Sequence, residues 1–467
     1  VPFRELTDRE KEIVYHGPAE KKHIFYKAKK TNQAGELDFT YFNAVYTVEN
    51  ALSKVKDEKG MKRVEKFLKE DICPECGGSR LSDAARAPRL RGIGLAQACQ
   101  MPLKELVDWV AGVPDSLLKD FCAYVTDHTP CGRHIIAANE GAAVGIAAGH
   151  YMASGRLPLV YMQNSGLGNT VNPLLSLMDE KVYALPVLLM IGWRGEPGGK
   201  DEPQHVKQGE VTLDLLEAMQ IPYVVLSDQE EEALQQTGEM LQKAQTGSRP
   251  YAIVIRKGLF GKYRLQNKPE NDYPLSREEA LEFVADQLGE TDVVVSTTGK
   301  LSRELFEYRE ARHQGHERDF LTVGSMGHSS SIALGIALEK PERRIWCLDG
   351  DGAFIMHMGA ITNVGSLKLH NYRHIVFNNG AHESVGGQPT VGFRLDIPSI
   401  ARACGYPVVY SVSTREGIRQ ALQHLSVADG PALLEIRVKI ASREDLGRPT
   451  TTPAENKNHF MENLKNE

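Results

Sequence analysis

The chain has 467 residues, a length that fits roughly two to four domains of ordinary size. Hydrophobic residues make up 41% of the sequence and charged residues 25%, which favours a folded protein over long disordered segments. The formal net charge of -6 argues against a surface that coats nucleic acid. No apolar run is long enough to span a membrane, so we expect no membrane partner.

The first stretch, residues 1–111, is dense in charged residues, and Thr47 to Glu70 has the pattern of a charged amphipathic helix. We therefore expect a mainly helical segment here. Of the seven cysteines of the chain, only Cys73 and Cys76 are close together, which favours reduced thiols and a cytoplasmic location over a disulfide framework. The pair is half of a structural zinc site. His16, His23 or Cys99 could complete it, but a metal-free turn is slightly favoured.

Two further stretches, residues 112–270 and 271–467, alternate short apolar runs with helical segments. A polar connector over residues 258–276 separates the two sets of apolar runs. Such alternation predicts an α/β fold with two doubly wound domains, each built on a parallel sheet. The predicted strands are 157–162, 185–191, 223–226 and 251–255 in the first domain, and 293–296, 344–348, 374–377 and 432–437 in the second.

Two acidic residues of the first α/β stretch lie where a short apolar strand gives way to a helix. Glu140 follows a short apolar strand and opens a helix rich in small residues. An acid at that position is also favoured simply by the helix dipole. Asp115 lies in a Pro-Asp-Ser turn, where its ordinary role is to cap the helix that follows. The glycine-rich loop 163–169 comes after the next strand and has no phosphate-loop lysine.

The second α/β stretch carries the pattern with most chemistry. The strand 344–348 leads directly into Asp349, Gly350, Asp351 and Gly352, and the strand 374–377 ends in Asn378 and Asn379. Adjacent parallel strands end at one sheet edge, where a carboxylate, an amide oxygen and a backbone carbonyl could hold Mg²⁺ and a diphosphate. Either half alone could be an ordinary turn, so the interpretation rests on their combination.

A Gly-Asp-Gly followed about 25 to 30 residues later by Asn-Asn resembles the cofactor motif of thiamin-diphosphate enzymes. The resemblance implies two thiamin-diphosphate-binding domains, with thiamin diphosphate and Mg²⁺ as cofactors. It implies that Asp351, Asn379 and Ala381 bind the metal, with the choice between Asn378 and Asn379 left open, and that Glu140 bonds the pyrimidine ring of the cofactor. The residues implied to contact the cofactor are Gly350, Gly352, Ala353, Asn378, Met326, Ser325, Gly299 and Gly166.

Several longer strings resemble the phosphonopyruvate decarboxylase family, with the sulfopyruvate decarboxylases as its nearest relatives. They lie at residues 112–118, 161–173, 192–198, 201–205, 378–388 and 445–453. The resemblance implies a lyase of phosphonate biosynthesis that converts 3-phosphonopyruvate to phosphonoacetaldehyde and carbon dioxide. It also implies a homo-oligomer with active sites between subunits. A sulfopyruvate decarboxylase, or another thiamin-dependent lyase or carboligase, is the alternative.

Within that resemblance, Asp115 is the expected proton-handling carboxylate. The basic residues in loops that could reach the phosphonate are Arg194, Lys200, His205, Lys207 and Arg448. Each of these is by itself no more distinctive than a solvated surface charge. The sequence does not decide which of them binds the substrate.

The first stretch resembles a different family, the UvrA-type subunit of excinuclease ABC, over residues 1–17, 42–78 and 80–109. It carries no ATP-binding motif, so we expect no ATP hydrolysis. Because the decarboxylase-like pattern begins abruptly at Gly112, we expect residues 1–111 to be a fused fragment. We also expect a pyrimidine-binding domain over 112–270 that lacks its first strand and helix. A fragment of DNA-repair type without enzymatic activity is the alternative from another class of protein.

Overall fold

The computed structural model describes residues 2–27, 34–54, 89–90, 93–94, 109–130, 132–268 and 270–465. The chain divides into two compact units, Val1–Gln100 and Met101–Glu467. Most of the helix predicted over 47–70 lies outside the described residues, and so do Cys73, Cys76 and Cys99. The zinc prediction therefore stays a prediction.

The N-terminal unit combines helices with an antiparallel hairpin. Thr7 begins its first helix through a capping box, in which the Thr7 and Glu10 side chains each bond the other's backbone N–H. His23, in the hairpin, has its ring 2.5 Å from the carboxylate of Asp38 on the opposite strand. The hairpin was not predicted. The elements are α1 (Asp8–His16), β1 (Glu20–Lys27), β2 (Ala34–Tyr41), α2 (Ala44–Ser53), β3 (Arg89–Leu90) and β4 (Ile93–Gly94).

The second unit begins with a six-stranded parallel sheet whose strand order is β6-β5-β7-β8-β10-β9. Its strands are β5 (Val110–Gly112), β6 (His134–Ile136), β7 (Leu159–Gln163), β8 (Val187–Gly192), β9 (Tyr223–Val225) and β10 (Pro250–Ile255). Its helices are α3 (Lys119–His128), α4 (Glu140–Ser154), α5 (Leu167–Pro173), α6 (Pro203–Ala218) and α7 (Glu230–Thr246).

The expectation that this domain lacks its first strand is wrong for the described residues. Val110–Gly112 pairs in parallel with β6 on one side and β7 on the other, and all three of its residues are buried. The predicted boundary at residue 111/112 therefore cuts a strand of the sheet. The strand was missed because three residues are too few to show a period. The predicted absence of a leading helix concerns residues outside those described.

A second six-stranded parallel sheet follows, with the order β12-β11-β13-β14-β18-β17. Its strands are β11 (Val293–Ser296), β12 (Asp319–Leu321), β13 (Ile345–Gly350), β14 (Tyr372–Asn378), β17 (Val408–Val412) and β18 (Ala432–Arg437), while β15 (Ala381–His382) and β16 (Gln388–Pro389) form a separate hairpin. Its helices are α8 (Arg277–Ala285), α9 (Lys300–Ala311), α10 (Ser329–Glu339), α11 (Asp351–Met356), α12 (Ala360–Leu367), α13 (Ile397–Ala403), α14 (Arg415–Ser426) and α15 (Pro453–Lys465).

The two sheets have the same connectivity, because strands numbered within each domain run 2-1-3-4-6-5 in both. Each sheet is covered on both faces. Along β8, Leu189 and Ile191 pack into one core cluster, while Leu188 and Met190 pack into another. Two core clusters likewise flank the second sheet. The predicted α/β class with two doubly wound parallel sheets is confirmed. Ligands bind such sheets at the carboxyl ends of the strands.

Among the described residues, no helix is both long and apolar enough to cross a membrane.

Candidate functional site

The metal motif forms the turn between β13 and α11. Gly350 ends the strand and Asp351 begins the helix. Asp351 is only 2% exposed, and its carboxylate accepts a hydrogen bond from the Thr390 hydroxyl. A Cβ on Gly392 would lie 2.7 Å from that carboxylate, so glycine there leaves it room. Burial raises the pKa of Asp351 to about 6. A cation beside it would favour the ionised form instead.

The two asparagines at the end of β14 have different surroundings. The Asn378 side chain donates to the Gly392 carbonyl at 3.0 Å and to Glu435 at 2.7 Å, away from the cleft described next. The Asn379 side chain accepts from the Ala381 N–H at 3.1 Å and donates to Glu383 at the same distance. This geometry favours Asn379 as the metal ligand and makes Asn378 a support of the turn.

One cleft, of about 500 Å³ including its open mouth, collects most of the predicted metal and cofactor residues. The Thr297 hydroxyl lies in its wall, is buried, and has no hydrogen-bond partner among the residues that the structure describes. Gly299 precedes α9 with a φ of +103°, a conformation that favours glycine, and Lys300 opens that helix. The predicted residues among its lining are Met326, Gly350, Asp351, Gly352, Ala353, Asn379 and Ala381.

A network of charged side chains closes one side of the cleft. Arg277 donates to both carboxylate oxygens of Glu304, at 2.8 and 2.7 Å, and to Glu383 at 2.8 Å. Ser442 also donates to Glu383, and it accepts a hydrogen bond from Lys300. The network fixes Glu383 beside Asn379 and leaves Lys300 at the cleft wall.

The turn that carries Met326 also contributes to the cleft. Ser325 has a φ of +53°, uncommon for a residue other than glycine, and Gly327 has a φ of +84°. Half-buried Met326 lines the cleft, whereas Ser325 is exposed and is not part of that lining. Of these two predicted cofactor contacts, the structure therefore places only Met326 at the cleft.

Beneath the metal turn lies a buried cluster of Cys347, Asp349 and His374, whose ligand-type atoms are within 4.8 Å of one another. The His374 ring nitrogen is 3.5 Å from a carboxylate oxygen of Asp349. The other Asp349 oxygen accepts from the Gly350 N–H at 3.1 Å. Asp349 therefore supports the backbone turn from which Asp351 projects.

Glu140 begins α4 on the first sheet and is 6% exposed. Asn139 caps the helix by accepting from the Ala142 N–H at 2.8 Å. The Glu140 carboxylate accepts from the Asn169 side chain at 2.7 Å. A Cβ on Gly166 would lie 2.5 Å from that carboxylate, so Gly166 leaves it space. Gly166 and Asn169 of the same domain thus hold the Glu140 carboxylate in position.

Asp115 is buried in the turn between β5 and α3. Its carboxylate accepts from the Leu117 and Leu118 N–H groups, both at 3.1 Å, ahead of α3, whose N-cap residue is Leu118 and not Asp115 as predicted. Burial raises the pKa of Asp115 to about 6, although these hydrogen bonds and the charge of Arg194 act in the opposite direction. A carboxyl group with a pKa near 6 can both donate and accept a proton near neutral pH.

The basic residues predicted as candidates for binding the substrate have different surroundings. Arg194 binds both carboxylate oxygens of Asp201 and donates to the Ser116 hydroxyl at 2.6 Å. His205 is buried beside it, with a ring nitrogen that lacks a partner. The other three are Lys207, paired with Glu210 at 3.0 Å, Arg448, paired with Glu202 at 2.7 Å, and exposed Lys200.

The structure thus brings the metal-motif residues together, but Glu140 is not among the residues that line their cleft. A contact between the two regions is made by Asn139, next to Glu140, whose side chain donates to the Met356 carbonyl at the end of α11. No role was predicted for Glu383, His382 or Thr390. The first two lie within a string already singled out, but nothing in their residue types marked them as cleft residues.

The cleft fits a diphosphate bound through a divalent cation. A carboxylate, an amide oxygen and a backbone carbonyl at Asp351, Asn379 and Ala381 are hard oxygen donors of the kind that Mg²⁺ takes. The Thr297 hydroxyl without a partner, Lys300 and the start of α9 suit the anionic oxygens. Among the described residues, Asp351 has no ion-pair partner of its own.

Comparison with known proteins agrees with this fit. Residues 96–218 match the N-terminal TPP binding domain of thiamine pyrophosphate enzymes, and residues 297–436 match the C-terminal TPP binding domain. Thiamine pyrophosphate is another name for thiamin diphosphate. The first match begins upstream of the domain boundary predicted at residue 112. A thiamine pyrophosphate enzyme is therefore the class of protein that the fold and the cleft define.

The chain is also similar to individual decarboxylases. A phosphonopyruvate decarboxylase of Streptomyces viridochromogenes is 35% identical over 366 residues, which cover 75% of this chain and 89% of that protein. One from Streptomyces hygroscopicus is 33% identical, covering 76% and 90%. A sulfopyruvate decarboxylase of Methanosarcina acetivorans is 27% identical, covering 77% and 94%. The chain belongs to the thiamine pyrophosphate enzyme family.

Proposed function

We propose that the protein is a thiamin-diphosphate-dependent 2-oxo-acid decarboxylase that converts 3-phosphonopyruvate to phosphonoacetaldehyde and carbon dioxide. The observation that carries the proposal is the single cleft that unites Asp351, Asn379 and Ala381 beside an unpartnered Thr297 hydroxyl. The choice of substrate is supported by the likeness to two phosphonopyruvate decarboxylases over most of their length.

In this proposal the second domain holds the cofactor. Asp351, Asn379 and the Ala381 carbonyl bind Mg²⁺, while Thr297 and Lys300 bind the diphosphate. Met326, which lines the same cleft, contacts the cofactor. When bound, thiamin diphosphate supplies the nucleophile that attacks the keto carbon and accepts the electron pair left by carbon dioxide.

The first domain handles the protons. Glu140 hydrogen-bonds the pyrimidine ring and shares a proton with it, and the amide of Asn169 holds that carboxylate in place. Asp115, whose pKa burial raises to about 6, donates a proton to the carbon that lost carbon dioxide. Both residues follow adjacent strands, β6 and β5, at the carboxyl edge of one sheet.

We propose further that each active site forms between two copies of the chain. Glu140 does not line the metal cleft of its own chain, which supports its supply by a second copy. Mixing Glu140→Gln and Asp351→Ala subunits tests this arrangement, because each hybrid dimer would contain one intact site. Random assortment predicts roughly a quarter of wild-type activity. No recovered activity after verified subunit exchange would contradict a shared site.

The function itself is tested by measuring aldehyde release from 3-phosphonopyruvate, with and without thiamin diphosphate and Mg²⁺. We expect release only when both are present. The similarity to a sulfopyruvate decarboxylase makes 3-sulfopyruvate the necessary second substrate in the same assay. Higher kcat/KM with 3-sulfopyruvate would overturn the substrate assignment, and activity that is independent of the cofactor would overturn the enzyme class.

A further inference from the structure

A second cleft in the same unit is lined by six cationic side chains. It measures about 1530 Å³ including its open mouth, and we call it the basic cleft. Only two acidic residues, Asp120 and Asp201, lie in its wall. The cations are Lys119, Arg194, Lys257, Lys262, Arg264 and Lys268.

Most of these positive charges are not neutralised by the protein. Asp201 is bound by Arg194, and Asp120 accepts a hydrogen bond from the Tyr263 N–H at 2.9 Å. Within the described part of the chain, none of the other five cations has an ion-pair partner. This excess of positive charge stands out because the whole chain has a net charge of -6. A concave surface of one sign concentrates ligands of the opposite sign.

The basic cleft adjoins the turn that carries the proposed proton donor Asp115. Ser116 and Leu117 line it directly after Asp115, and Arg194, which also lines it, donates to the Ser116 hydroxyl. The basic cleft is therefore placed to receive one end of a small molecule that Asp115 protonates.

We propose that the basic cleft binds the anionic tail, a phosphonate or a sulfonate, of the 2-oxo-acid substrate. This inference rests on the proposed function. It assigns the tail to the connector residues Lys262, Arg264 and Lys268, together with Lys119, Arg194 and Lys257. Several cations around one tail supply charge-assisted hydrogen bonds to its oxygens. A phosphonate, which carries more charge than a sulfonate, gains more from them.

This assignment of the anionic tail revises the set of basic residues that the sequence suggested for the phosphonate. Four members of that set do not line the basic cleft, namely Lys200, His205, Lys207 and Arg448. Arg194 is the one member of the earlier set that lines the cleft, and it is also the one in contact with the turn that carries Asp115.

The test measures anion binding separately from turnover. The holoenzyme, loaded with thiamin diphosphate and Mg²⁺, is titrated calorimetrically with phosphonoacetate, sulfoacetate and acetate. The triple variant Lys257→Gln/Lys262→Gln/Lys268→Gln should bind phosphonoacetate at least roughly tenfold more weakly than wild type, and the effect should shrink at high salt. Arg264→Gln alone should show a smaller loss in the same direction. Lys243→Gln, an exposed lysine of α7 outside the cleft, is the matched control and should bind as wild type does.

Steady-state kinetics of the same variants provide the second measurement. The triple variant should raise KM for 3-phosphonopyruvate by a similar factor, with kcat and cofactor affinity retained. If wild type decarboxylates 3-phosphonopyruvate but the triple variant and Arg264→Gln keep their KM and their phosphonoacetate affinity, the basic cleft is not the tail site. If wild type binds phosphonoacetate and the variants lose it, while no 2-oxo acid is decarboxylated, the anion site stands and the proposed function fails.

Discussion

The two sheet domains of the second unit have the same strand order and different chemistry at the same edge. In the first domain, the functional carboxylates Asp115 and Glu140 follow strands β5 and β6, the first and second of their sheet. In the second domain, Asp351 and Asn379 follow β13 and β14, the third and fourth of theirs. The reversal of strand order between the first and third strands is the usual ligand position in such folds.

Under the proposed function, the difference shows that one topology can supply either proton-transfer residues or metal ligands, according to which side of that reversal carries the polar residues. The proposed metal ligands lie within one domain, where the carboxylate, the amide and the carbonyl share a cleft. The proposed proton-transfer residues act on a cofactor that the other domain holds. Variants of each set separate these two roles.

The largest effect is expected at the proposed metal ligands. Asp351→Ala removes the only carboxylate of the proposed ligand set, so Mg²⁺-dependent binding of thiamin diphosphate should weaken by roughly 100-fold or more, and turnover should be lost with it. Titration of the cofactor at several Mg²⁺ concentrations measures the change. Asp429→Asn, an exposed aspartate of the same domain, is the control. Retained cofactor affinity in Asp351→Ala would remove this residue from the metal site.

The second prediction concerns the proposed proton-transfer residues. Glu140→Gln keeps an oxygen to accept the Asn169 hydrogen bond but cannot exchange a proton, so kcat should fall roughly 10²- to 10⁴-fold. Cofactor affinity should change far less than in Asp351→Ala. The contrast between the two variants, one losing the cofactor and the other losing only turnover, is the test. Equal losses of cofactor in both would abolish the distinction between the domains.

The third prediction uses the raised pKa of Asp115. If Asp115 donates a proton, kcat should decline as pH rises through about 6, and Asp115→Asn should lose roughly 10²-fold in kcat together with this inflection. Burial raises the pKa above its usual value of 3.8, so the folded chain binds this proton more tightly than the unfolded chain. The Asp115 contribution to stability is therefore lost as pH rises from about 4 to above 6.

Stability measurements give Asp115→Asn a second readout. At pH 8, where the wild-type carboxylate is ionised and buried, the variant should be more stable by up to about 3 kcal/mol. The asparagine oxygen can still accept from the Leu117 and Leu118 N–H groups. Urea unfolding at pH 4 and pH 8 compares the two proteins. A variant less stable than wild type at pH 8, or an unchanged pH profile of kcat, would make Asp115 a structural residue only.

The smallest effect is expected at Gly166. Alanine there would place a methyl carbon within 2.5 Å of the Glu140 carboxylate, so the carboxylate must move. Such a displacement should lower kcat roughly 10-fold to 100-fold without affecting Mg²⁺ binding. Gly168→Ala, two residues further on in α5 and with open space around it, is the matched control. Equal activity in the two variants would show that the position of Glu140 is not critical.

The strands of both sheets were largely predictable, because fully buried parallel strands form continuous apolar runs. The predicted strands 293–296 and 432–437 coincide with β11 and β18. Strands β5 and β17 were not predicted, for a common reason. The central strand β5 has three residues, and β17 at the sheet edge is mostly only half-buried, so neither produces a long apolar run. The hairpin of the N-terminal unit lies in a charged stretch without apolar periodicity.

The residues of the metal cleft could be predicted from the sequence, but the directions of their side chains could not. Spacing along the chain identified both asparagines. Only the structure shows that the Asn378 side chain is bonded to Gly392 and Glu435 and that the Asn379 side chain lines the cleft. The basic cleft was not predictable, because Lys262, Arg264 and Lys268 belong to a connector without periodicity. The roles assigned to the site residues remain predictions, as does the likeness of the N-terminal unit to the UvrA-type family.

The most direct test is a structure of the protein crystallised with thiamin diphosphate and Mg²⁺. We predict Mg²⁺ bound by Asp351, Asn379 and the Ala381 carbonyl, with the pyrimidine ring hydrogen-bonded to Glu140 of a second copy. A cofactor held away from Asp351, or a pyrimidine ring with no contact to Glu140 of either copy, would contradict the account.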